Sequence, residues 1–258
     1  MRILFLGDVV GRPGRRAVAA LLPALIREHD PALVVANGEN AAGGLGMDFK
    51  TARQLFDAGV QVLTSGNHVW KIKDFYPTLD TEPRILRPAN YPPGAPGRGM
   101  GVYAAGGVEV AVINLMGRTF MDDIDCPFRT VDALLDRLDA RDTPVPVRLV
   151  DIHAEATSEK IALAYHLAGR VSAVLGTHTH VQTNDARILP GGTAALTDAG
   201  MCGVRDSALG MDPRAIIERF ITGLPKRFTV ASGEELVSGV WVDVDPETGR
   251  ALDVGLVS

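Results

Sequence analysis

The residues best suited to chemistry in this sequence stand directly after short apolar runs. Five such runs are spaced along the chain, at 2–7, 32–37, 61–66, 145–152 and 171–176. The polar residues that follow them are Asp8, Glu39, Asn40, Asn67, His68, His153, His178 and His180. Short apolar runs bounded by turn residues are typical of buried strands. We therefore expect carboxylate, amide and imidazole groups to lie at five strand ends.

The chemistry that these groups share is metal binding. Open α/β sheets bind ligands outside the carboxyl ends of their strands, so the side chains are expected at one edge. Oxygen and imidazole ligands suit Mn, Fe or Zn. Because no cysteine is among these candidate ligands, a structural zinc site is not expected. The seven candidates other than His68 exceed what one ion needs, and they fit two ions about 3.5–4 Å apart. Glu39 is the predicted bridge, because its carboxylate can span both ions.

The histidines differ in how strongly they support this site. A lone histidine is more often an ordinary polar group, and His29 and His166 lie in helical patterns where that explanation suffices. His178 and His180 are two residues apart directly after a strand, and in an extended segment such residues face the same way. Together with His153 at another strand end, this pair favours a metal site.

The elements that must position these residues alternate between strands and helices. Helical patterns at 15–28 and 48–58 separate the first three apolar runs, which predicts a parallel sheet with right-handed crossovers. Two hairpins, at 101–117 and 187–198, and two closing strands, at 235–244 and 250–257, follow later. The remaining helices are predicted at 129–140, 157–168 and 213–222. We predict an α/β fold of two mixed sheets packed face to face with helices outside, in one domain spanning 1–258.

Composition excludes several classes of protein. The 258 residues are 46% hydrophobic, which is enough for a sizeable core. A net charge of -5 argues against a surface that binds long nucleic acids, although bound cations would still let a small anionic substrate approach. Two cysteines provide no disulfide framework. No stretch reaches the roughly 18 apolar residues of a membrane span, and we predict a cytoplasmic protein without a membrane partner.

Several motifs resemble a known superfamily. Three short motifs resemble the calcineurin-like metallophosphoesterase signature. They are GD at 7–8, GNH at 66–68 and GTHTH at 176–180. The longer strings GDVVGRPGR, NGENAAGG, DIHAEATSEK and LTDAGMCG are similar to those of bacterial YmdB-type phosphodiesterases. This resemblance extends over essentially the whole chain.

The resemblance implies a four-layer α/β/β/α sandwich with a dinuclear centre. It implies that one ion is held by Asp8, Glu39, Asn40 and His180, and the second by Glu39, Asn67, His153 and His178. It also implies hydrolysis of cyclic nucleotides, 2′,3′-cyclic or 3′,5′-cyclic or both, by attack of a metal-activated hydroxide on phosphorus. The expected metals are iron or manganese, with zinc as an alternative. His68 is expected to protonate the leaving alkoxide or to steady charge on the phosphoryl group.

Three positions depart from the wider superfamily pattern. Val10 stands where a histidine ligand is usual, and Asn40 is expected to replace it. Glu39 stands where the bridging residue is usually aspartate, and Val69 follows His68 in place of a carboxylate. The departures agree with the YmdB-type branch, but they leave the orientation of His68 unexplained.

Other functions remain open at this point. The same fold could serve as a non-hydrolytic nucleotide sensor or scaffold, and the same centre could belong to a phosphomonoesterase or a nuclease. The predicted partner is a small nucleotide, whose base would contact loops such as 88–99 and 117–127. Tyr91 and Phe120 are the aromatic candidates for stacking there. The sequence also leaves a homo-oligomer open.

Overall fold

The computed structural model describes residues 1–258, which form thirteen strands and six α-helices numbered in chain order. The first sheet contains β1 (Arg2–Val9), β2 (Leu33–Asn37), β3 (Val62–Thr64), β10 (Met201–Val204), β11 (Glu235–Val237), β12 (Gly239–Val244) and β13 (Ala251–Val257). The second sheet contains β4 (Met100–Ala105), β5 (Val108–Met116), β6 (Val147–His153), β7 (Ala173–Thr177), β8 (Arg187–Leu189) and β9 (Thr193–Leu196). The helices are α1 (Gly11–His29), α2 (Phe49–Asp57), α3 (Tyr76–Thr81), α4 (Pro127–Asp139), α5 (Thr157–His166) and α6 (Pro213–Thr222).

Both sheets are mixed, and each has a parallel centre. In the first, β1 pairs in parallel with β2, and β2 with β3, as the alternation of strands and helices predicts. The other side of β1 pairs antiparallel with β12 along residues 2–6 and parallel with β10 at Asp8 and Val9. In the second sheet β5, β6, β7 and β9 are parallel, and β4 and β8 are antiparallel edge strands. The parallel strands direct their carboxyl ends to one edge of each sheet.

Alternating side chains of β1 show how the layers are built. Ile3 and Phe5 point into a core shared with β5, β6 and β7 of the other sheet. Leu4 and Leu6 point the opposite way, into a core under α1 and α2. A third core joins the second sheet to α4 and α5. The order is therefore helices, sheet, sheet, helices, and the predicted four-layer sandwich is confirmed. Because the middle core joins both sheets, we propose that residues 1–258 form one domain.

The structure departs from the predicted elements in a few places. The predicted strand at 235–244 is two strands, β11 and β12, separated at Ser238. At that residue the chain changes partners: the amide of Ser238 bonds to Met201, and its carbonyl oxygen accepts from Gly7. Strand β10 and helix α3 were not predicted, because four and six residues are too short to show a periodic pattern. None of the helices is long and apolar enough to cross a membrane.

Gly14 provides a test of how closely α1 packs on β10. A Cβ at this position would overlap the carbonyl oxygen of Cys202. Replacing a helical glycine by alanine usually stabilises a protein by about 1 kcal/mol. For Gly14→Ala we instead expect the free energy of unfolding to fall by about 1–3 kcal/mol, as overpacking does. Urea denaturation measures this change. A gain in stability would contradict the packing described here.

Candidate metal centre

The eight polar residues predicted from the sequence lie together at one edge of the fold, where the parallel strands of both sheets have their carboxyl ends. Asp8 is the penultimate residue of β1, and His153 is the last residue of β6. The others lie on the loops that follow their strands: Glu39 and Asn40 after β2, Asn67 and His68 after β3, and His178 and His180 after β7. Each strand therefore brings one or two polar side chains to the same edge.

Glu39 lies at the centre of this group and is almost completely buried. Its Oε2 atom lies 3.3 Å from Nε2 of His153 and accepts a hydrogen bond from the amide of His68. Its Oε1 atom lies 3.2 Å from Nδ1 of His68 and accepts from the side-chain amide of Asn40. Glu39 thus has His153 on its Oε2 side and Asn40 on its Oε1 side, with His68 contacting both oxygens.

On the Oε2 side, three further ligand-type atoms converge. Nε2 of His153 lies 3.0 Å from Oδ1 of Asn67 and 3.0 Å from Nδ1 of His178. The ligand atoms of Glu39, His153 and His178 all lie within 4.8 Å of one another. This half therefore holds the four residues that the resemblance assigns to one ion.

On the other side, Asp8 faces His180 and Asn40. Oδ1 of Asp8 lies 3.7 Å from Nε2 of His180, and Nδ2 of Asn40 lies 3.2 Å from the same nitrogen. The second oxygen of Asp8 accepts a hydrogen bond from the backbone amide of His178. This half therefore holds the remaining predicted ligands.

The groups present fit bound cations. Oδ1 of Asp8 is fully buried and has no hydrogen-bond partner, an arrangement that costs free energy unless a positive charge faces it. Gly66 lies so close that a Cβ there would overlap the His153 ring and the Glu39 carboxylate. Carboxylate, amide and imidazole groups packed this tightly are the ligands that Mn, Fe and Zn accept. The residues are therefore compatible with metal ions in this space.

Charge coupling shifts the pKa values of the buried groups. Burial lowers the pKa of His153, but the carboxylates of Glu39, Asp8 and Asp151 outweigh burial and raise it to about 9. Burial raises the pKa of Glu39, but His153 and His68 outweigh burial and leave it well below its usual value. Burial and the neighbouring His153 lower the pKa of His178 to about 3.

A buried chain of hydrogen bonds orients His153. Its Nδ1 atom lies 2.9 Å from the hydroxyl of Thr177, and that hydroxyl donates to Asp151. The hydroxyl of Thr64 and the amide of Asn37 donate to the other oxygen of Asp151. Because the Thr177 hydroxyl donates its proton to Asp151, its oxygen can only accept from His153. Nδ1 of His153 therefore carries the proton and donates to Thr177. Nε2 is thereby left to face the other ligand-type atoms.

His178 has a carboxylate behind it in the same way. Its Nε2 atom lies 3.2 Å from Glu155, whose side chain is about half exposed, while Nδ1 faces His153. A carboxylate on the outer nitrogen fixes the tautomer and makes the inner nitrogen a better ligand. Sequence reasoning did not identify Glu155, Asp151 or Thr177. One available signal was Asp151, a charged residue within an otherwise apolar strand.

The predicted reason for the pairing of His178 and His180 was wrong. The segment after β7 is not extended, because the φ angles are 104° at His178 and 64° at His180. Positive φ is uncommon outside glycine and costs about 1–2 kcal/mol at each residue. The turned backbone sends the two rings to opposite halves of the site, His178 beside His153 and His180 beside Asp8.

His68 lies at the rim, as predicted, with its side chain 23% exposed. Nδ1 is 2.7 Å from Oδ1 of Asn40, so Asn40 and Glu39 orient the ring where the sequence offered no partner. Asn40 consequently presents its amide nitrogen to His180. To bind an ion beside His180 through oxygen, the amide of Asn40 must rotate by half a turn, which would place its NH₂ group against His68.

The two aromatic candidates for base stacking have different surroundings. Tyr91 packs edge-to-face on Trp70, and its hydroxyl lies 3.9 Å from the sulfur of Met116. Phe120 is 89% exposed on the loop after β5. The start of that loop is close to the site, because the amide of Gly117 bonds to the carbonyl of His153. Phe120 is therefore the freer of the two rings.

The arrangement of two mixed sheets between helices is the metallophosphoesterase-type fold. A Staphylococcus aureus structure described as a putative 5′-nucleotidase has this fold, with a TM-score of 0.63 at 13% identity. That match covers 100% of this chain and 54% of the other. At this identity, the likeness concerns the fold alone.

The chain belongs to the YmdB-like family, whose model matches residues 4–257. It is similar to the 2′,3′-cyclic-nucleotide 2′-phosphodiesterase of Bacillus subtilis (strain 168), with 50% identity over 98% of this chain and 95% of that protein. A hypothetical protein from Thermus thermophilus has a similar structure, with a TM-score of 0.92 and 46% identity, covering 100% of this chain and 98% of that one. The predicted family and fold are confirmed.

Gly66 offers a test of the geometry of the centre. Because a Cβ would overlap His153 and Glu39, we expect Gly66→Ala to push the two side chains apart and to remove metal from the purified protein. The residue has no positive φ that the substitution would strain. Elemental analysis measures metal per chain, and circular dichroism verifies folding. A folded variant with the wild-type metal content would contradict the described packing.

Proposed function

We propose that this protein is a metal-dependent phosphodiesterase that hydrolyses 2′,3′-cyclic nucleotides. The observation that carries the proposal is the buried carboxylate of Glu39, whose Oε2 atom faces His153 and whose Oε1 atom faces Asn40 and the ring of His68. The B. subtilis relative, half of whose residues are identical, supports the same class of substrate. It does not support the 3′,5′-cyclic nucleotides that the sequence also left open, and these enter only as test compounds.

Two metal ions are the proposed cofactors, iron or manganese, with zinc as an alternative. Asp8, Glu39, Asn40 and His180 would hold one ion, with the amide of Asn40 rotated. Glu39, Asn67, His153 and His178 would hold the other. The crowding of these groups, including a buried oxygen of Asp8 without a hydrogen-bond partner, supports the assignment.

When bound, such a pair of cations lowers the pKa of water and neutralises charge on a phosphoryl group. The residues of the chain contribute orientation and proton transfer. Thr177 and Glu155 fix the ring nitrogens that His153 and His178 present. With the amide of Asn40 rotated, its NH₂ group would donate to Nδ1 of His68. The ring proton would then be on Nε2, the nitrogen that would protonate the leaving ribose oxygen.

A non-hydrolytic nucleotide sensor or scaffold on this fold is the competing proposal. It would not need an oriented His68, because binding alone requires no proton transfer. A phosphomonoesterase or nuclease would use the same centre and differs only in its substrate. A small nucleotide is the expected partner of the phosphodiesterase, the sensor and the phosphomonoesterase, whereas a nuclease would bind a longer nucleic acid.

A substrate panel tests the proposed reaction directly. With added Mn²⁺, we expect turnover of 2′,3′-cyclic mononucleotides to exceed turnover of 3′,5′-cyclic nucleotides, nucleoside monophosphates and RNA. Chromatography of the nucleotide products measures hydrolysis of the cyclic nucleotides and of RNA, and a phosphate assay measures hydrolysis of the nucleoside monophosphates. Preference for a monoester or for RNA would replace the proposed substrate, and no turnover of any compound would favour the sensor.

His68→Ala separates proton transfer from metal binding. We expect the variant to keep its metal and to lose about 10²- to 10⁴-fold in kcat, since one general acid contributes that much. Asp8→Ala should lose metal together with activity, and His166→Ala, which removes a hydrogen bond with Asp132, should lose neither. Wild-type turnover by His68→Ala would show that its assigned role is wrong.

Phe120 is the proposed platform for the nucleobase. Its loop is fixed by Glu159, which accepts hydrogen bonds from the amides of Arg118 and Thr119. Stacking of one base on an aromatic ring contributes about 1–3 kcal/mol, so Phe120→Ala should raise KM by about 5- to 150-fold with little change in kcat. Steady-state kinetics with adenosine 2′,3′-cyclic phosphate measure this.

The matching controls separate stacking from other effects of the substitution. Tyr165→Ala removes another exposed aromatic ring, near the opposite end of α5 from Glu159, and should leave KM unchanged. A ribose 2′,3′-cyclic phosphate that lacks a base should be hydrolysed equally by wild type and Phe120→Ala. An unchanged KM for the nucleotide would exclude Phe120 as the platform.

A further inference from the structure

A buried ion pair lies beneath the loop that carries His178 and His180. Lys160, on α5, is 3% exposed, and its ammonium donates to Oδ2 of Asp198 over 2.9 Å. Asp198 follows β9 and is 1% exposed. Neither residue is among the ligand-type groups of the centre. Burying two charges is expensive unless further hydrogen bonds compensate, so the other contacts of the pair matter.

The additional partners of Asp198 come from the residue between the two histidines. The Oδ2 atom that pairs with Lys160 also accepts from the backbone amide of Thr179, at 3.0 Å, and from its hydroxyl, at 2.8 Å. The other oxygen accepts from the amide of Gly200. One carboxylate oxygen therefore receives three donors, two of which belong to Thr179.

These contacts act on a strained segment. His178 and His180 both have positive φ, a conformation that non-glycine residues keep only where their surroundings impose it. Asp8 bonds the amide of His178, and Asp198 bonds the next amide along the chain. The hydrogen bonds from Thr179 to Asp198 fix the backbone so that one histidine ring is directed to each half of the site. Without these hydrogen bonds, the backbone would be free to return to negative φ and both rings would move.

We propose that Lys160 and Asp198 are positioning residues, which hold Thr179 and thereby aim His178 and His180 at the two halves of the metal centre. This inference rests on the proposed function, because it concerns ligands of the proposed ions. The ammonium of Lys160 lies 2.9 Å from the same oxygen of Asp198 that accepts from Thr179, and it thereby holds this carboxylate in place within a buried environment.

The first test removes both charges at once, because a single substitution would leave an unpaired buried charge and could prevent folding. The variant is Lys160→Met with Asp198→Asn, in the full chain. After removal of metal with a chelator, calorimetry measures Mn²⁺ binding. We expect the affinity to fall about 10- to 100-fold, the usual effect of losing a partner behind the ligands, while circular dichroism and melting show a folded protein.

A matched control removes an ion pair that lies far from the centre. Arg170 and Asp132 pair over 2.6 Å near the carboxyl end of α5 and are both partly exposed. Arg170→Met with Asp132→Asn should keep the wild-type affinity for Mn²⁺. An equal loss in this control would show a general effect of charge removal and would overturn the proposal.

A second test alters Thr179 alone and does not depend on the buried charges. Thr179→Val keeps the shape but removes the hydroxyl that donates to Asp198, so we expect weaker Mn²⁺ binding and a lower kcat. Thr179→Ser retains the hydroxyl and should restore both. Wild-type affinity in a folded double variant and in Thr179→Val would overturn the proposal. If the wild-type protein itself bound no Mn²⁺, the proposed function would fail instead.

Discussion

Carboxylate, amide and imidazole groups are packed within about 3–4 Å of one another at the open edge of the two sheets, and much of the structure serves to hold them there. Glu39 lies between His153 and His68, and an oxygen of Asp8 is buried without a donor. Such crowding is stable when cations lie among the ligands and costly otherwise. The four layers provide the rigid support, because each sheet is covered by a hydrophobic core on both of its faces up to this edge.

The surrounding hydrogen bonds form a second level of organisation, and one stretch of chain supplies many of them. Between 151 and 160, Asp151 reaches Thr177, Glu155 reaches His178, Glu159 fixes the loop of Phe120, and Lys160 pairs with Asp198. Only His153 in this stretch is a proposed ligand. The motif DIHAEATSEK is therefore better explained by the orientation of neighbouring groups than by ligation, and this explains why charged side chains occupy buried positions of a strand and a helix.

Strand-end reasoning was sufficient to predict that these eight residues lie close together, because parallel strands must deliver their carboxyl ends to a common edge. The layer order was also predictable from alternating elements. The turned backbone at His178 and His180 was not, since its positive φ angles depend on contacts with Asp8 and Asp198 that are distant in sequence. The partner of His68 was missed for the same reason: Asn40 was considered only as a ligand, although its side chain also reaches the histidine ring.

We propose that Glu39 lies between two cation sites and bridges them, and that each site is completed by residues from both sheets. The most direct measurement is an anomalous difference map from crystals of the Mn²⁺-loaded protein, recorded at the manganese absorption edge. The proposed bridging by Glu39 requires two peaks about 3.5–4 Å apart on either side of its carboxylate, one beside Asp8 and His180 and one beside His153 and His178. A single peak, or peaks away from Glu39, would contradict it.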